Sequence, residues 1–346
     1  MIAVNMRSAM GALTGVQRYA IEVFKRLDKE SCRSVAPAEI LGSMKGHLWE
    51  QCTLPKEVSN SSLLWSPGNV GPLRVRNQVV TIHDATTFDH PEWFDRKFSL
   101  WYRFLLPRLA KRVKGIITVS EDSKRRLAGH LGVSAEKIRV IYNGVSPELS
   151  PAEPDSIARL REKLGIKGEY FAYVGSLEPR KNLKTLIEAW RSVQPQLKDT
   201  ELLIAGSAGH VFSGEGESEC PEGCRFIGRL SDDDLPVLLS GARALAYPSL
   251  YEGFGLPPLE AMACGTRALV SDIPVLREVC GDEAIYFNPL DSASVANAIL
   301  SVAEESEEQR RKAITSGRGR AAEFSWERSA HQHKEFFEEM REVQNG

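Results

Sequence analysis

The chain has 346 residues, of which 42% are hydrophobic and 26% charged, and its formal net charge at pH 7 is −2. This length is large for one hydrophobic core and suits two domains. The balanced charge excludes the strongly basic surface that is typical of bulk nucleic-acid binding, and no apolar run approaches the roughly 18 residues of a transmembrane helix. Because residues 1–10 also lack the layout of a signal peptide, we expect a cytoplasmic protein.

In the first half of the chain, short apolar runs alternate with amphipathic stretches. The runs IAVN, VVTIHD, GIITVS and IRVIYNG predict buried parallel strands at 2–5, 79–84, 115–120 and 138–144. Apolar side chains at helical spacing predict helices at 15–29, 94–113 and 120–131. Ser120 is the expected N-cap of the last of these helices.

The second half repeats the same alternation after a proline-rich segment at 145–156, which we interpret as a linker. Strands are predicted at 170–176, 201–207, 224–228, 244–249, 267–271 and 284–288. The alternation predicts an α/β fold with two Rossmann-like, doubly wound parallel-sheet domains facing a cleft. We place the domains at 1–149 and 150–325. A C-terminal helix at 326–346 follows, either in the second domain or crossing back to the N-terminal one.

The stretch YEGFGLPPLEAMACG (251–265) carries two glutamates, Glu252 and Glu260, around two glycines and two adjacent prolines. Glycine lets a backbone approach a ligand closely, and Pro257 and Pro258 suit the first turn of a helix. The pattern therefore predicts a loop that ends in a helix start near Leu256, where amides and the helix dipole favour an anion. The alternative is a capped helix with a structural role only.

Other polar residues follow predicted strands or open predicted helices, where ligands bind in such folds. Gly15 begins the first helix, and His83 and Asp84 end a buried strand. Ser176, Arg180, Lys181 and Asn182 follow the first strand of the second half. These residues can also have a purely structural explanation. Gly15 can form a turn, His83 can be a hydrogen-bonded core histidine, and Arg180 and Lys181 can be an exposed pair. Together, two cations and two glycine-bearing helix starts are a pattern that holds a diphosphate.

We do not expect a metal site. In SDDDL (231–235), Ser231 and Asp234 have the spacing of a capping box with Asp in place of Glu. Of the six cysteines only Cys220 and Cys224 are close in sequence, and no second pair offers the remaining ligands of a structural zinc. We interpret the thiols as reduced.

The chain resembles the glycosyltransferase family 4 enzymes, which are retaining transferases of the GT-B fold with two Rossmann domains. The resemblance covers nearly the whole chain and is strongest in YVGSLEPRKNLKTLIEA, LLIAG and FIGRLSDDDLPVLLSGARALAYPSLYEGFGLPPLEAMACGTRALVSDIPVLREV. Two glutamates separated by seven residues are the family's signature. The N-terminal half matches more loosely, through TGVQRY, TIHD and YNGV.

The resemblance implies that the second domain binds a nucleotide-sugar donor and the first takes the acceptor. Glu260 would accept hydrogen bonds from the donor's ribose hydroxyls, and Glu252 would face the donor sugar. Three backbone amides would lie nearby, those of Phe254, Gly255 and Leu256.

The same resemblance gives Arg180 and Lys181 the role of neutralising the diphosphate. Gly15 would let the first loop approach it, and His83 would reach the sugar from the other domain. At Ser176 the chain departs from the pattern, because many relatives carry an arginine there. That departure leaves Arg180 as the substitute.

For the reaction, we expect positive charge where the diphosphate leaves, with no metal needed if arginine and lysine supply it. The resemblance favours front-face attack, in which the departing phosphate oxygen accepts the acceptor's proton, over a covalent nucleophile. Residues around HDATTFDHPEWF (83–94) resemble mannosyltransferases of surface-polysaccharide synthesis, so the expected donor is GDP-mannose and the expected acceptor a glycan on a lipid carrier. A nucleotide-sugar 2-epimerase and a non-enzymatic bilobal sugar-binding protein remain as alternatives.

Residues 96–114, RKFSLWYRFLLPRLAKRVK, carry seven basic residues and no acidic one. Apolar side chains recur at helical spacing at Phe98, Trp101, Tyr102, Leu105 and Leu109. One interpretation is that these apolar side chains face the core of the N-terminal domain and that the basic side chains are solvated. However, Trp101, Phe104 and Leu106 cannot all lie at the centre of one stripe, so we expect exposed apolar surface beside the positive charge. That combination suits peripheral contact with an anionic membrane.

Overall fold

The computed structural model describes residues 1–11, 14–206 and 220–342. The chain forms two compact units. The first unit is Met1–Gly144 together with the residues from Phe324 onwards, and the second is Val145–Glu323. Within the described residues, no helix is both long and apolar enough to cross a membrane.

The first unit contains a parallel six-stranded sheet in the order β2-β1-β3-β4-β5-β6. Its strands are β1 (Ile2–Asn5), β2 (Cys32–Val35), β3 (Leu63–Ser66), β4 (Gln78–Thr81), β5 (Gly115–Thr118) and β6 (Ile138–Val140). Every residue of β1, β3, β4 and β5 is buried, as expected for central strands of a parallel sheet covered on both faces.

Seven α-helices of the described chain belong to the first unit. They are α1 (Gly15–Arg26), α2 (Ser43–Cys52), α3 (Leu54–Glu57), α4 (Thr86–Asp89), α5 (Arg96–Arg112), α6 (Glu121–Leu131) and α14 (Trp326–Glu342). The Ser120 side chain accepts a hydrogen bond at the start of α6, 3.1 Å from the Ser123 nitrogen, so the predicted cap is confirmed. Helix α5 is continuous although Pro107 lies inside it.

The second unit contains another parallel six-stranded sheet, in the order β12-β11-β10-β7-β8-β9. Its strands are β7 (Glu169–Val174), β8 (Thr200–Ala205), β9 (Cys224–Gly228), β10 (Ala244–Tyr247), β11 (Arg267–Ser271) and β12 (Ile285–Phe287). This is the doubly wound order, in which the chain changes direction across the sheet between its first and fourth strands. Here those strands are β7 and β10.

The helices described in the second unit are α7 (Pro154–Leu164), α8 (Leu183–Val193), α9 (Asp234–Gly241), α10 (Leu256–Ala263), α11 (Pro274–Cys280), α12 (Ser292–Ala303) and α13 (Glu307–Ala322). The first turn of α7 lies inside the segment that we interpreted as a linker. Near α9, the Ser231 hydroxyl accepts from the Asp234 nitrogen at 3.1 Å, which is one of the two bonds of the predicted capping box, while the N-cap residue of the helix is Asp233. The Asp234 carboxylate pairs with Lys163 at 2.8 Å.

The fold class predicted from the sequence, two Rossmann-like parallel sheets, is confirmed. The predicted strands are present, but β2 and β3 were missed. In β2 (CRSV) only the first and last residues are buried, and the apolar run of β3 (LLWS) is three residues long and bounded by serines.

Helix α14 packs in the core of the first unit. The His333 Nε2 atom lies 2.6 Å from the Tyr19 hydroxyl of α1, and the His333 ring is 5.3 Å from the ring of Trp65 in β3. The last described helix therefore completes the unit to which the first strand belongs.

Candidate active site

Two loops of the second unit follow β7 and β10, the pair of strands at which the sheet order reverses. The first loop contains a 3-10 turn at Pro179–Lys181, and the second leads from β10 to α10. The Leu250 nitrogen donates to the Arg180 carbonyl oxygen at 2.8 Å, which ties the loops together. Ligands of doubly wound folds bind at such a point, at the carboxyl ends of the strands.

The Glu252 carboxylate lies between both basic residues of the first loop. Its Oε1 atom accepts from Lys181 Nζ at 2.6 Å and from the Tyr247 hydroxyl at 2.8 Å. Its Oε2 atom accepts from Arg180 Nη1 at 3.1 Å. Burial by itself would raise the pKa of the Glu252 carboxyl group, but Lys181 and Arg180 outweigh it and lower that pKa to about 2. The carboxylate is therefore ionised and held at both oxygens.

Lys181 is the more buried of the two cations, with 7% of its side chain exposed against 26% for Arg180. Burial lowers the pKa of the Lys181 amine, and the carboxylate of Glu252 opposes that shift. Arg180 also donates from Nε to Glu178 at 2.9 Å. The interpretation of Arg180 and Lys181 as a merely exposed pair is thus wrong.

Asn182 holds the first loop in place. Its backbone has a positive φ of 54°, a conformation that asparagine tolerates better than most residues. Its side-chain amide donates to the carbonyl oxygens of Pro248 and Pro289, at 3.2 and 2.7 Å. The cations beside it are consequently presented from a fixed backbone.

Helix α10 begins at Leu256, as predicted, and its N-cap residue Gly255 has φ +104°. A Cβ atom at Gly255 would lie 2.6 Å from Leu276 Cδ2, so both conformation and space require glycine here. Phe254, just before it, is buried. Glu260, the fifth residue of the helix, is only 7% exposed.

His83 lies in the first unit, directly after Ile82 and close to the end of β4. It is buried, and Nε2 donates to the Pro67 carbonyl oxygen at 2.9 Å. Its ring stands at 85° to that of Tyr19, with centroids 4.7 Å apart. Burial lowers the pKa of the imidazole, so His83 is neutral, and donation from Nε2 leaves the lone pair on Nδ1.

The remaining predicted residue, Gly15, is the first residue of α1 and is exposed. The preceding Thr14 nitrogen donates to the Gln17 side chain at 3.2 Å. Of the predicted set, Glu252, Arg180 and Lys181 are brought together, and Phe254, Gly255, Leu256 and Glu260 follow them in the loop and helix of the same unit. Gly15 and His83 lie in the first unit.

Tyr247, which contacts both Lys181 and Glu252, was not predicted. It ends the strand ALAY and so lies at the ligand-binding edge of the sheet, a position that the run ALAYPS already indicated. In the described residues, no group of three or more His, Cys, Asp and Glu side chains is arranged to hold a metal ion.

Residues 156–320 match the family model of glycosyl transferases group 1, and residues 58–149 match glycosyltransferase family 4. Over 246 residues the chain is 35% identical to the O-antigen chain mannosyltransferase RfbU of Salmonella typhimurium, covering 70% of this chain and 65% of that protein. Over 262 residues it is 31% identical to O-antigen chain mannosyltransferase B of Escherichia coli, covering 74% and 68%. The match thus spans just under two thirds of RfbU's own length.

Solved structures share the fold at lower identity. The Anabaena protein HepE, crystallised with UDP-glucose, has a TM-score of 0.79 at 20% identity and covers 98% of this chain and 99% of its own. WaaG, a glycosyltransferase involved in lipopolysaccharide biosynthesis, has a TM-score of 0.75 at 16% identity, covering 97% and 99%. With two family models on its two halves and a curated relative aligned over more than two thirds, the chain belongs to glycosyltransferase family 4, with a glycosyltransferase group 1 domain in its second half.

Proposed function

We propose that this glycosyltransferase moves mannose from GDP-mannose to a hydroxyl group of a glycan or lipid-linked acceptor in surface-polysaccharide synthesis, with retention at the anomeric carbon. The observation that carries the proposal is the buried carboxylate of Glu252 held by Arg180 and Lys181 at the switch point of the second sheet. The relatives named O-antigen mannosyltransferases support the choice of sugar and of acceptor class.

In this proposal the second unit binds the donor. Arg180 and Lys181 neutralise the diphosphate, since fixed cations bind phosphates strongly. Glu252 orients the donor sugar, and Glu260 accepts from the ribose hydroxyls. The amides at the start of α10 approach the donor closely, those of Phe254, Gly255 and Leu256.

The first unit takes the acceptor, and two of its residues serve the donor as well. Gly15 has no side chain to keep the phosphate from the start of α1. His83 is neutral and carries its lone pair on Nδ1, so it can accept a hydrogen bond from a sugar hydroxyl without adding charge. Its donation to Pro67 fixes the ring for that purpose.

The chemical step breaks the bond between the anomeric carbon and a phosphate oxygen, and the acceptor oxygen bonds to the same face of that carbon. The acceptor's proton passes to the departing phosphate oxygen. Charge grows on the diphosphate as the bond breaks, so the two cations stabilise the transition state more than the ground state. Glu252 then serves by placement rather than as a nucleophile.

Incubation with GDP-mannose, UDP-glucose and UDP-N-acetylglucosamine, each with and without a lipid-linked glycan, tests the function. We expect GDP release and a mannosylated lipid only when GDP-mannose and the acceptor are both present. Consumption of a sugar nucleotide without acceptor would instead indicate a 2-epimerase. Binding without turnover in every mixture would indicate a sugar-binding protein.

We also propose that the protein works at the cytoplasmic face of an anionic membrane, contacted through helices α2 and α5. Leu100 and Phe104 of α5 are 57% and 48% exposed, and Met44 and Leu48 of α2 are 87% and 64% exposed. The two helices adjoin, because the His47 ring lies 5.9 Å from that of Trp101. We call these four exposed side chains the apolar ridge.

Basic side chains accompany the apolar ridge. Arg103, Lys111 and Arg112 are exposed on α5, and the Arg108 guanidinium lies 3.6 Å from the centroid of the Phe104 ring. The expectation of exposed apolar surface is confirmed for Phe104, whereas Leu106 is buried. Cations next to exposed apolar groups favour the interface of an anionic bilayer, where a lipid-linked acceptor would be reached.

A further inference from the structure

Tyr247 is the last residue of β10, and its side chain is fully buried. Its hydroxyl oxygen lies 2.6 Å from Lys181 Nζ and 2.8 Å from Glu252 Oε1. Because Lys181 and Glu252 are themselves 2.6 Å apart, these three groups form a closed triangle of hydrogen bonds. The Lys181 ammonium also lies 4.7 Å from the centroid of the Tyr247 ring.

Hydrogen-bonding capacity sets the direction of each bond in the triangle. An ammonium group only donates and a carboxylate only accepts. The Tyr247 hydroxyl therefore accepts from Lys181 and directs its own proton to Glu252. The charged groups that act on Lys181 are Glu252, Arg180 and Glu178, and Tyr247 is the neutral member that touches both charges of the buried pair.

Arrival of a diphosphate places a second anion on the two cations that now hold Glu252. When Arg180 and Lys181 donate some of their hydrogen bonds to the phosphates, the Glu252 carboxylate loses those donors. It stays buried, and a buried charged group without hydrogen-bond donors is costly. The Tyr247 hydroxyl is uncharged, so the phosphates draw it away less strongly, and it remains on Oε1.

We propose that Tyr247 is a positioning residue of the donor site, which keeps the Lys181 ammonium and the Glu252 carboxylate in place while the cations engage the donor's diphosphate. This inference rests on the proposed function for its kinetic part only. It assigns Tyr247 no contact with the donor, since its hydroxyl is already used by the two charged partners.

Tyr247→Phe removes the hydroxyl and keeps the buried ring. Tyr170→Phe is the matched control. Tyr170 is also buried, and its hydroxyl donates a hydrogen bond to the Leu238 carbonyl oxygen at 2.7 Å. It lies at the N-terminal end of β7, away from the loop that carries Lys181. Both variants lose one buried hydroxyl from the same unit. Thermal unfolding of both shows whether their folding is affected equally.

Two measurements are made on the whole protein. Steady-state kinetics with GDP-mannose and a lipid-linked glycan gives kcat and KM for each variant. Carbon-13 NMR of protein labelled at the lysine ε carbon follows the titration of the Lys181 amine, with its signal assigned from Lys181→Arg. The second measurement needs no activity.

We expect Tyr247→Phe to lower kcat by about 10- to 100-fold, the effect of one hydrogen bond to charged groups, with a smaller change in KM. The Lys181 amine should titrate at lower pH in that variant, because an acceptor of its charged form is gone. Tyr170→Phe should match the parent in both measurements.

Parental kinetics or an unshifted Lys181 titration in Tyr247→Phe would overturn the inference, as would equal kinetic losses in both variants. If the parent protein itself transfers no sugar, the proposed function fails. In that case the Lys181 titration alone tests whether Tyr247 holds the Lys181 ammonium in place.

Discussion

The Lys181 ammonium and the Glu252 carboxylate lie 2.6 Å apart, with 7% and 9% of their side chains exposed. A buried ion pair contributes little net stability, because desolvation offsets the attraction, but removing one partner is strongly destabilising. The pair is therefore weak evidence for a structural role. It fits the donor site that we propose, in which both charged groups act on the donor.

Replacing each signature carboxylate should produce a different kinetic defect. Glu260→Ala should mainly raise KM for the donor, because ribose contacts are lost. Glu252→Ala should mainly lower kcat, because the sugar and the two cations are displaced at the reacting centre. Steady-state kinetics measures both constants, with Glu188→Ala on the exposed face of α8 as the control. Parental kcat and KM in both site variants would show the site assignment to be wrong.

Activity should not require a divalent metal ion, because in the proposed site Arg180 and Lys181 supply positive charge to the departing diphosphate. Alanine at either position should cost on the order of 2–4 kcal/mol of transition-state stabilisation, by analogy with the removal of an oxyanion donor. The check is product formation in excess EDTA, followed by added Mg²⁺ or Mn²⁺. Activity that EDTA abolishes and either ion restores would contradict the prediction.

Stability should fall in mild acid because of His333. Burial lowers the pKa of this imidazole to about 4; its Nδ1 donates to the Ser329 carbonyl oxygen at 2.7 Å and its Nε2 accepts from Tyr19. Between pH 6.5 and about 4 the unfolded chain binds a proton that the folded chain does not, so the free energy of unfolding falls by about 3 kcal/mol.

Urea unfolding at several pH values measures this loss. His333→Gln should flatten the dependence, whereas His331→Gln, at an exposed position of the same helix, should leave it unchanged. His83, also buried and with a lowered pKa, contributes in the same direction, so part of the slope should remain. An undiminished slope in His333→Gln would count against the prediction.

Membrane contact through the apolar ridge should depend on anionic lipid and on salt. Liposome flotation should recover the protein with anionic vesicles and not with neutral ones, and high salt should release it. Arg103→Glu with Lys111→Glu should abolish recovery, whereas Lys184→Glu with Lys312→Glu, an equal charge change in the second unit, should not. Equal recovery with neutral and anionic vesicles, unaffected by the first pair of substitutions, would exclude the contact.

Much of the fold was predictable because long amphipathic helices and apolar strands have readable periods, as in α1 and β7. The motif YEGFGLPPLEAMACG likewise predicted the start of α10 at Leu256. The hydrogen bonds that Arg180, Lys181 and Tyr247 donate to Glu252 were not predictable. They form because β7 and β10, which are far apart in sequence, are neighbours in the sheet. His83 is buried and hydrogen-bonded, as the alternative interpretation of a core histidine predicted. Its catalytic role is therefore a proposal.

The passage of the chain through the two units has a consequence for biosynthesis. Tyr19 and Trp65 are covered by α14, which leaves the ribosome only after the whole of Val145–Glu323 has been made. The first unit cannot complete its core before the second unit has been synthesised, so we expect the usual N-terminal-first order of domain folding to be reversed. In a released chain that ends at Glu323, a protease pulse should accordingly cut within 1–144 and spare 145–323.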